Sequence, residues 1–122
     1  MSYDQGNIIL VRFPFTDLTS SKVRPAVVVS NKKVHYSSDL IVAQITTSEI
    51  TGDFAFKFIG DDLTIPLKPR RGYDSNPGGG TVYCKKIATL NNSIVQRKIS
   101  KFKNEKLPEL VNLIKSTVDI ID

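Results

Sequence analysis

Lys22-Val23-Arg24-Pro25-Ala26-Val27-Val28-Val29-Ser30 sets a cation at the mouth of an unbroken apolar run. Proline fixes its own φ and drives the residue before it toward extended backbone, so Arg24 is held straight. Lacking an N–H, Pro25 suits the start of a strand. Ala26 to Val29 is rich in β-branched side chains and shows no polar alternation. It reads as a strand buried on both faces. A guanidinium at the entrance of such a strand is placed to meet an anion, phosphate above all, because its planar fork of donors matches paired oxygens. A surface ion pair ahead of a core strand would give the same letters, so the flanks must decide.

Outward from this stretch, Ile8 to Phe15 reads as a first strand and Thr16 to Lys22 as a polar loop. Asn31 to Asp39 reads as a loop with His35 and Tyr36 on its surface, and Leu40 to Ile45 as the third strand. Phe54, Phe56 and Phe58 alternate with Ala55 and Lys57, which predicts a strand with one aromatic face turned inward. Thr81 to Leu90 and Arg97 to Phe102 supply further strands, separated by a short helical turn over Asn91 to Val95. Leu107, Leu110, Val111, Ile114 and Val118 recur at helical spacing, with Asn104 as the cap and Pro108 in the first turn. Short strands plus one amphipathic helix predict a mainly β fold, a small curled barrel with a C-terminal helix, in one domain over residues 1–122. Gly60 to Gly80, rich in Pro and Gly and without a period, reads as a long solvated loop whose cluster Lys68-Pro69-Arg70-Arg71 is free to meet an anionic partner.

Seventeen Lys and Arg against twelve Asp and Glu give a formal charge of +5, which favours a polyanionic partner, RNA or an acidic protein. One cysteine, Cys84, excludes an internal disulfide framework and fits a reducing compartment. With His35 the one histidine, a histidine-pair acid–base mechanism within the chain is excluded. No cluster of closely spaced carboxylates is present either, so neither a metal nor another cofactor is expected. No apolar run nears the length of a membrane span, and Met1 to Gln5 carries no secretory pattern. The expectation is a soluble, cytoplasmic protein with no membrane partner.

Four segments in order carry a resemblance: Gly6 to Leu18, Lys22 to Ser30, Asp39 to Ser48, and Lys85 to Leu90 followed by Ile94 to Phe102. Together they resemble the MazF/PemK family of toxin endoribonucleases from bacterial toxin–antitoxin pairs, most strongly over Gly6 to Ser48 and least over Gly60 to Gly80. The resemblance implies an SH3-like small β-barrel with a C-terminal helix, the fold of MazF, PemK and CcdB toxins. It implies sequence-specific, metal-independent cleavage of single-stranded RNA by the substrate's own 2′-hydroxyl, leaving a 2′,3′-cyclic phosphate and a free 5′-hydroxyl. It maps the catalytic pair onto Arg24 and Thr46 and aligns Lys86 with an RNA contact. Lys22, Thr47 and Phe15 are further candidate RNA contacts, Phe15 by stacking on a splayed base, with a core phenylalanine as its competing reading. A homodimer and a cognate acidic antitoxin are the partners it implies. An intramolecular nucleophile explains how so few catalytic groups suffice, since orientation supplies much of the rate. Deprotonating an arginine at neutral pH costs ~7–9 kcal/mol, so Arg24 is read as a clamp on the phosphorane rather than as a base. Lys85 and Lys86 should face opposite ways on a regular strand, leaving at most one for the RNA. The competing reading is a noncatalytic SH3-like module that binds nucleic acid or a protein strand; the joint presence of Arg24 and Thr46 favours the enzyme.

Overall fold

In the computed structural model, residues 2–12, 23–47, 50–69 and 75–121 are described, and the valine-rich stretch lies near the middle of its sheet. The strands are β1 (Asn7–Val11), β2 (Arg24–Val28), β3 (Asp39–Thr46), β4 (Ala55–Phe58), β5 (Gly80–Asn91) and β6 (Arg97–Lys101). They pair antiparallel in the order β4-β5-β3-β2-β1-β6. Ala26, Val27 and Val28 are fully buried, because β2 has apolar side chains packed on both of its faces. Val27 joins Ile8, Ala43, Ile45, Phe58, Val82 and Phe102 in one core. Ala26 and Val28 join Ile9, Val11, Leu40, Val42 and Leu90 in a second core on the opposite face. The β2–β3 ladder begins at Ala26↔Gln44, one residue after Pro25, where a missing N–H does least harm.

The sheet curls. After β4, the bridge Leu63↔Phe102 brings the chain against the end of β6, the opposite edge. Thr64 donates its N–H to the Lys101 carbonyl at 2.9 Å, and Lys103 to that of Asp62 at 2.9 Å. Ser100 Oγ donates to the Ile65 carbonyl at 2.7 Å and accepts from the Ile65 N–H at 3.1 Å. Phe56 and Phe58 both meet the edge or face of Phe102, with ring centroids 6.2 and 5.0 Å apart, so the alternating phenylalanines do turn inward. A C-terminal helix, α2 (Leu107–Ser116), buries Leu110 in this core. No helix among the described residues is long and apolar enough to cross a membrane.

Several expectations are corrected. Gly60 to Gly80 is no solvated loop where it is described: Leu63 and Leu67 are core residues, and Gly60–Asp62 forms a 3₁₀ turn. Leu67 donates to the Gly78 carbonyl at 2.9 Å, and Asn76 Nδ2 to that of Phe58 at 2.9 Å. One bridge, backbone bonds and a few isolated core side chains hold this segment, so it has no hydrophobic period to read. Residues 70–74, with two of the basic residues, lie outside the described set. The loop after β2 contains a one-turn helix, α1 (Lys32–His35), because Asn31 Oδ1 accepts the Lys33 N–H and caps it at 3.0 Å. His35 is half-buried rather than superficial, sharing a 2.7 Å hydrogen bond with Ser30 Oγ, whereas Tyr36 is exposed. Asn104 does not cap α2; Lys106 occupies that position and pairs with Glu109 at 3.4 Å. The apolar stripe ends at Ile114, since the helix stops at Ser116 and Val118 is 81% exposed. The helical turn expected near Asn91 is present over Asn92–Ile94, with Asn91 Oδ1 accepting the Ser93 N–H. Strand β1 is described to Val11, and its expected continuation to Phe15 falls mostly outside the described residues.

Candidate functional site

Antiparallel register decides which side chains meet. The pairs Val28↔Val42, Val27↔Ala43 and Ala26↔Gln44, continued by two residues, set Arg24 opposite Thr46 on the same face of the sheet. Thr46 pairs on its other side with Thr81, and Thr81 with Lys57. One row, Arg24, Thr46, Thr81 and Lys57, therefore crosses four strands. The next row along contains Gln44, Tyr83 and Ala55. Arg24 pairs with Val11 on the β1 side, so the row stands at the rim of the second apolar core.

Two side chains of these rows carry buried polar atoms without partners: Arg24 Nε, a donor, and Gln44 Oε1, an acceptor. The third such atom among the described residues, His35 Nδ1, belongs to the α1 turn. An unsatisfied buried polar atom costs roughly 1–3 kcal/mol, more beside a charge, and each one in a native fold calls for a reason. A donor and an acceptor left open on neighbouring strands of one face suit a ligand that offers both an anionic oxygen and a hydroxyl. Gln44 escapes a sequence reading because a glutamine in an otherwise apolar strand looks like an incidental polar position.

Strand β5 carries an irregularity that brings cations to this face. Its register with β3 shifts between Ala43↔Ile87 and Gln44↔Tyr83, leaving Cys84, Lys85 and Lys86 opposite no partner on β3. The expected alternation of Lys85 and Lys86 fails for this reason, and both are exposed. Lys86 Nζ lies over the Tyr83 ring, 5.7 Å from its centroid, a cation–π contact that ties the ammonium to a site residue. Cys84 turns the other way into the core, where burial pushes its thiol up to about 11 and removes it as a nucleophile. Among the described residues the one ion pair is Lys106–Glu109 on α2, so Lys57, Lys85 and Lys86 form no ion pair with a described carboxylate.

Thr47 is exposed and opens to the opposite side from Thr46, into a groove of about 480 Å³ shared with Leu10, Pro25, Lys68, Arg97 and Lys98. Of the sequence candidates, the structure brings Arg24 and Thr46 into one row, sets Lys86 on the bulge beside it and turns Thr47 away. Phe15 and Lys22 lie outside the described residues.

No curated protein matches the chain by sequence. Among solved structures, an endoribonuclease from mycobacterial species superposes with a TM-score of 0.69 at 17% identity, over 97% of this chain and 92% of its own. The Mycobacterium tuberculosis toxin MazF-mt6 gives a TM-score of 0.67 at 18% identity, covering 95% and 99%. A MazE–MazF crystal structure from Deinococcus radiodurans gives 0.69 at 16% identity, covering 97% of each chain. At such identities the likeness establishes the fold alone. The sequence profile of the PemK-like, MazF-like toxins of type II toxin–antitoxin systems matches residues 4–118, nearly the whole chain, and the protein belongs to that family.

Proposed function

We propose that this chain is a cytoplasmic, single-domain endoribonuclease toxin that cleaves single-stranded RNA without a metal and is held in check by an acidic antitoxin. The observation that carries the reading is the pair of complementary orphan atoms, Arg24 Nε and Gln44 Oε1, in the rows that hold Thr46. Two fold neighbours are mycobacterial endoribonucleases, one of them in complex with its cognate antitoxin, and that likeness supports the reading.

In this reading the scissile phosphate sits over Arg24, whose guanidinium stabilises the charge that builds on the phosphorane oxygens. Thr46 adds a neutral hydrogen bond to a non-bridging oxygen. Gln44 Oε1 accepts the 2′-hydroxyl proton as a hydrogen bond and turns that oxygen toward phosphorus. The 2′-oxygen then forms a bond to phosphorus, the bond to the 5′-oxygen breaks, and the products are a 2′,3′-cyclic phosphate and a 5′-hydroxyl. The proton released from the 2′-hydroxyl goes to solvent, and the departing 5′-oxygen takes one up. Apolar residues exposed after α2, Val118, Ile120 and Ile121, offer a surface that a second copy of the chain would cover in a homodimer.

Cleavage is expected to proceed in excess EDTA and to fail on a strand whose scissile nucleotide carries hydrogen in place of the 2′-hydroxyl. It should fall steeply with added salt, because lysines and arginines displace counterions from RNA. Cleavage of the deoxy-substituted strand, or a strict magnesium requirement, would replace this mechanism with attack by water.

A further inference from the structure

A second cavity, of about 270 Å³, lies between the Gly52 turn and the bulged part of β5. Ala55 and Tyr83, two of its lining residues, are cross-strand partners in the row next to Thr46 and Thr81. The cavity therefore opens beside the Arg24 row, two to three strand spacings from Arg24, roughly 10–15 Å. That separation suits a nucleotide close to the scissile phosphate but not the scissile one itself.

The walls are built rather than incidental. Gly52 has φ +125°, a conformation that L side chains rarely adopt, and the Ala55 N–H closes the turn on the Gly52 carbonyl at 3.2 Å. The Cys84 backbone N–H donates to the Phe54 carbonyl at 3.0 Å and fastens the turn to β5. Phe54 and Tyr83 supply aromatic surface, while Lys86, over Tyr83, brings positive charge to the neighbouring backbone. The volume falls just below the ~300–1,000 Å³ usual for drug-sized ligands, which leaves room for one flat ring system. Aromatic walls flanked by cations are how proteins hold splayed bases of single-stranded RNA.

The polar lining chooses among bases. Asp53 only accepts hydrogen bonds and Lys85 only donates them. Guanine alone presents two adjacent donors, N1–H and the 2-amino group, to the two oxygens of a carboxylate, with O6 beside them for an ammonium. Uracil offers one donor between two carbonyls that a carboxylate repels, and adenine and cytosine offer a single amino group. We infer that this pocket binds a guanine base of the RNA, next to the cleaved position. The inference rests on the RNA-cleaving reading for its biological setting, but base binding itself needs no cleavage.

The test is a titration of the ¹⁵N-labelled protein with the 3′-monophosphates of guanosine, inosine, adenosine, cytidine and uridine, followed by amide shifts. Residues 50–55 and 83–86 are expected to move, and guanosine monophosphate should half-saturate them at about a tenfold lower concentration than inosine monophosphate, which lacks the 2-amino group. Asp53→Asn, an exposed change that leaves the fold intact, should erase that guanosine-over-inosine preference. Shifts indifferent to the base, shifts confined to other residues, or an unchanged preference in Asp53→Asn would each overturn the pocket. Cleavage mapping on a long transcript separates the two claims. Cutting without guanine-selective binding removes the pocket and keeps the nuclease; guanine-selective binding without cutting does the reverse.

Discussion

Arg24 has no partner to lose at its Nε among the described residues, and that makes its removal informative. Arg24→Ala is expected to cut the cleavage rate by about 10²–10³-fold or more, the usual loss when a donor aimed at developing charge is deleted. The melting temperature and circular dichroism should stay close to wild type, and near-normal cleavage by the purified variant would end the assignment. Lysine should not rescue it, since an ammonium cannot reproduce the forked donors. Gln44→Leu separates function from packing in the same way: kcat should drop about tenfold while thermal stability holds or rises, because a buried acceptor without a partner is gone. Single-turnover kinetics beside a thermal melt check both variants. That Arg24 and Thr46 stand at the ends of apolar strands is legible in the sequence; their pairing as a catalytic couple is what the family resemblance implies, and these variants test it. Gln44 is not legible there, since only the pairing register reveals which polar residue of β3 lies in the row beside the arginine.

At the scale of elements, strands rich in β-branched residues announced themselves, and what went unread was held by backbone. The 60–69 and 75–80 segments are held by carbonyls, glycines, one bridge and the isolated core leucines Leu63 and Leu67, features with no side-chain period. Gly79 shows how tight this is: a Cβ there would collide with the Phe58 carbonyl and approach the Ile59 Cα. Gly79→Ala is expected to destabilise the fold by ~2 kcal/mol or more, read from urea unfolding, because the Phe58–Ile59 backbone it would strike has little room to yield. The bulge of β5 was equally silent, because Tyr83-Cys84-Lys85-Lys86 looks like regular alternation until β3 slips against it. Cys84, at the start of that slip, gives β5 a pH signature. Burial raises its thiol to about 11 in the folded chain, whereas the unfolded chain ionises near the ordinary value of 9.0. The stability this contributes is complete below pH ~9 and is lost as pH rises toward 11, at up to ~1.4 kcal/mol per pH unit. Urea midpoints measured from pH 8 to 10.5 should fall less steeply in Cys84→Ala than in wild type.

At the scale of the whole molecule, six of the described cations lie on two sides of one rim. Lys57, Lys85 and Lys86 stand toward the Arg24 row, and Lys68, Arg97 and Lys98 line the groove behind it. Pro25 and Thr47 line that groove while their neighbours Arg24 and Thr46 face the opposite side, so an acidic chain that leaves the groove over the shared rim comes beside the proposed phosphate site. An antitoxin's acidic segment is therefore expected to raise the apparent KM for RNA without changing kcat, and to lose potency with added salt. An antitoxin that binds without slowing cleavage would place its docking elsewhere. The way the strands close carries a separate consequence, for how the protein is made. Asn7 near the start of the chain pairs with Lys101 near its end, and the edge of β1 waits for β6. Contacts so distant in sequence make folding slow, and they leave one strand edge bare until synthesis has passed residue 101. During that interval the nascent chain exposes a row of unpaired amides and carbonyls able to capture another strand, so its period of greatest risk is its own birth.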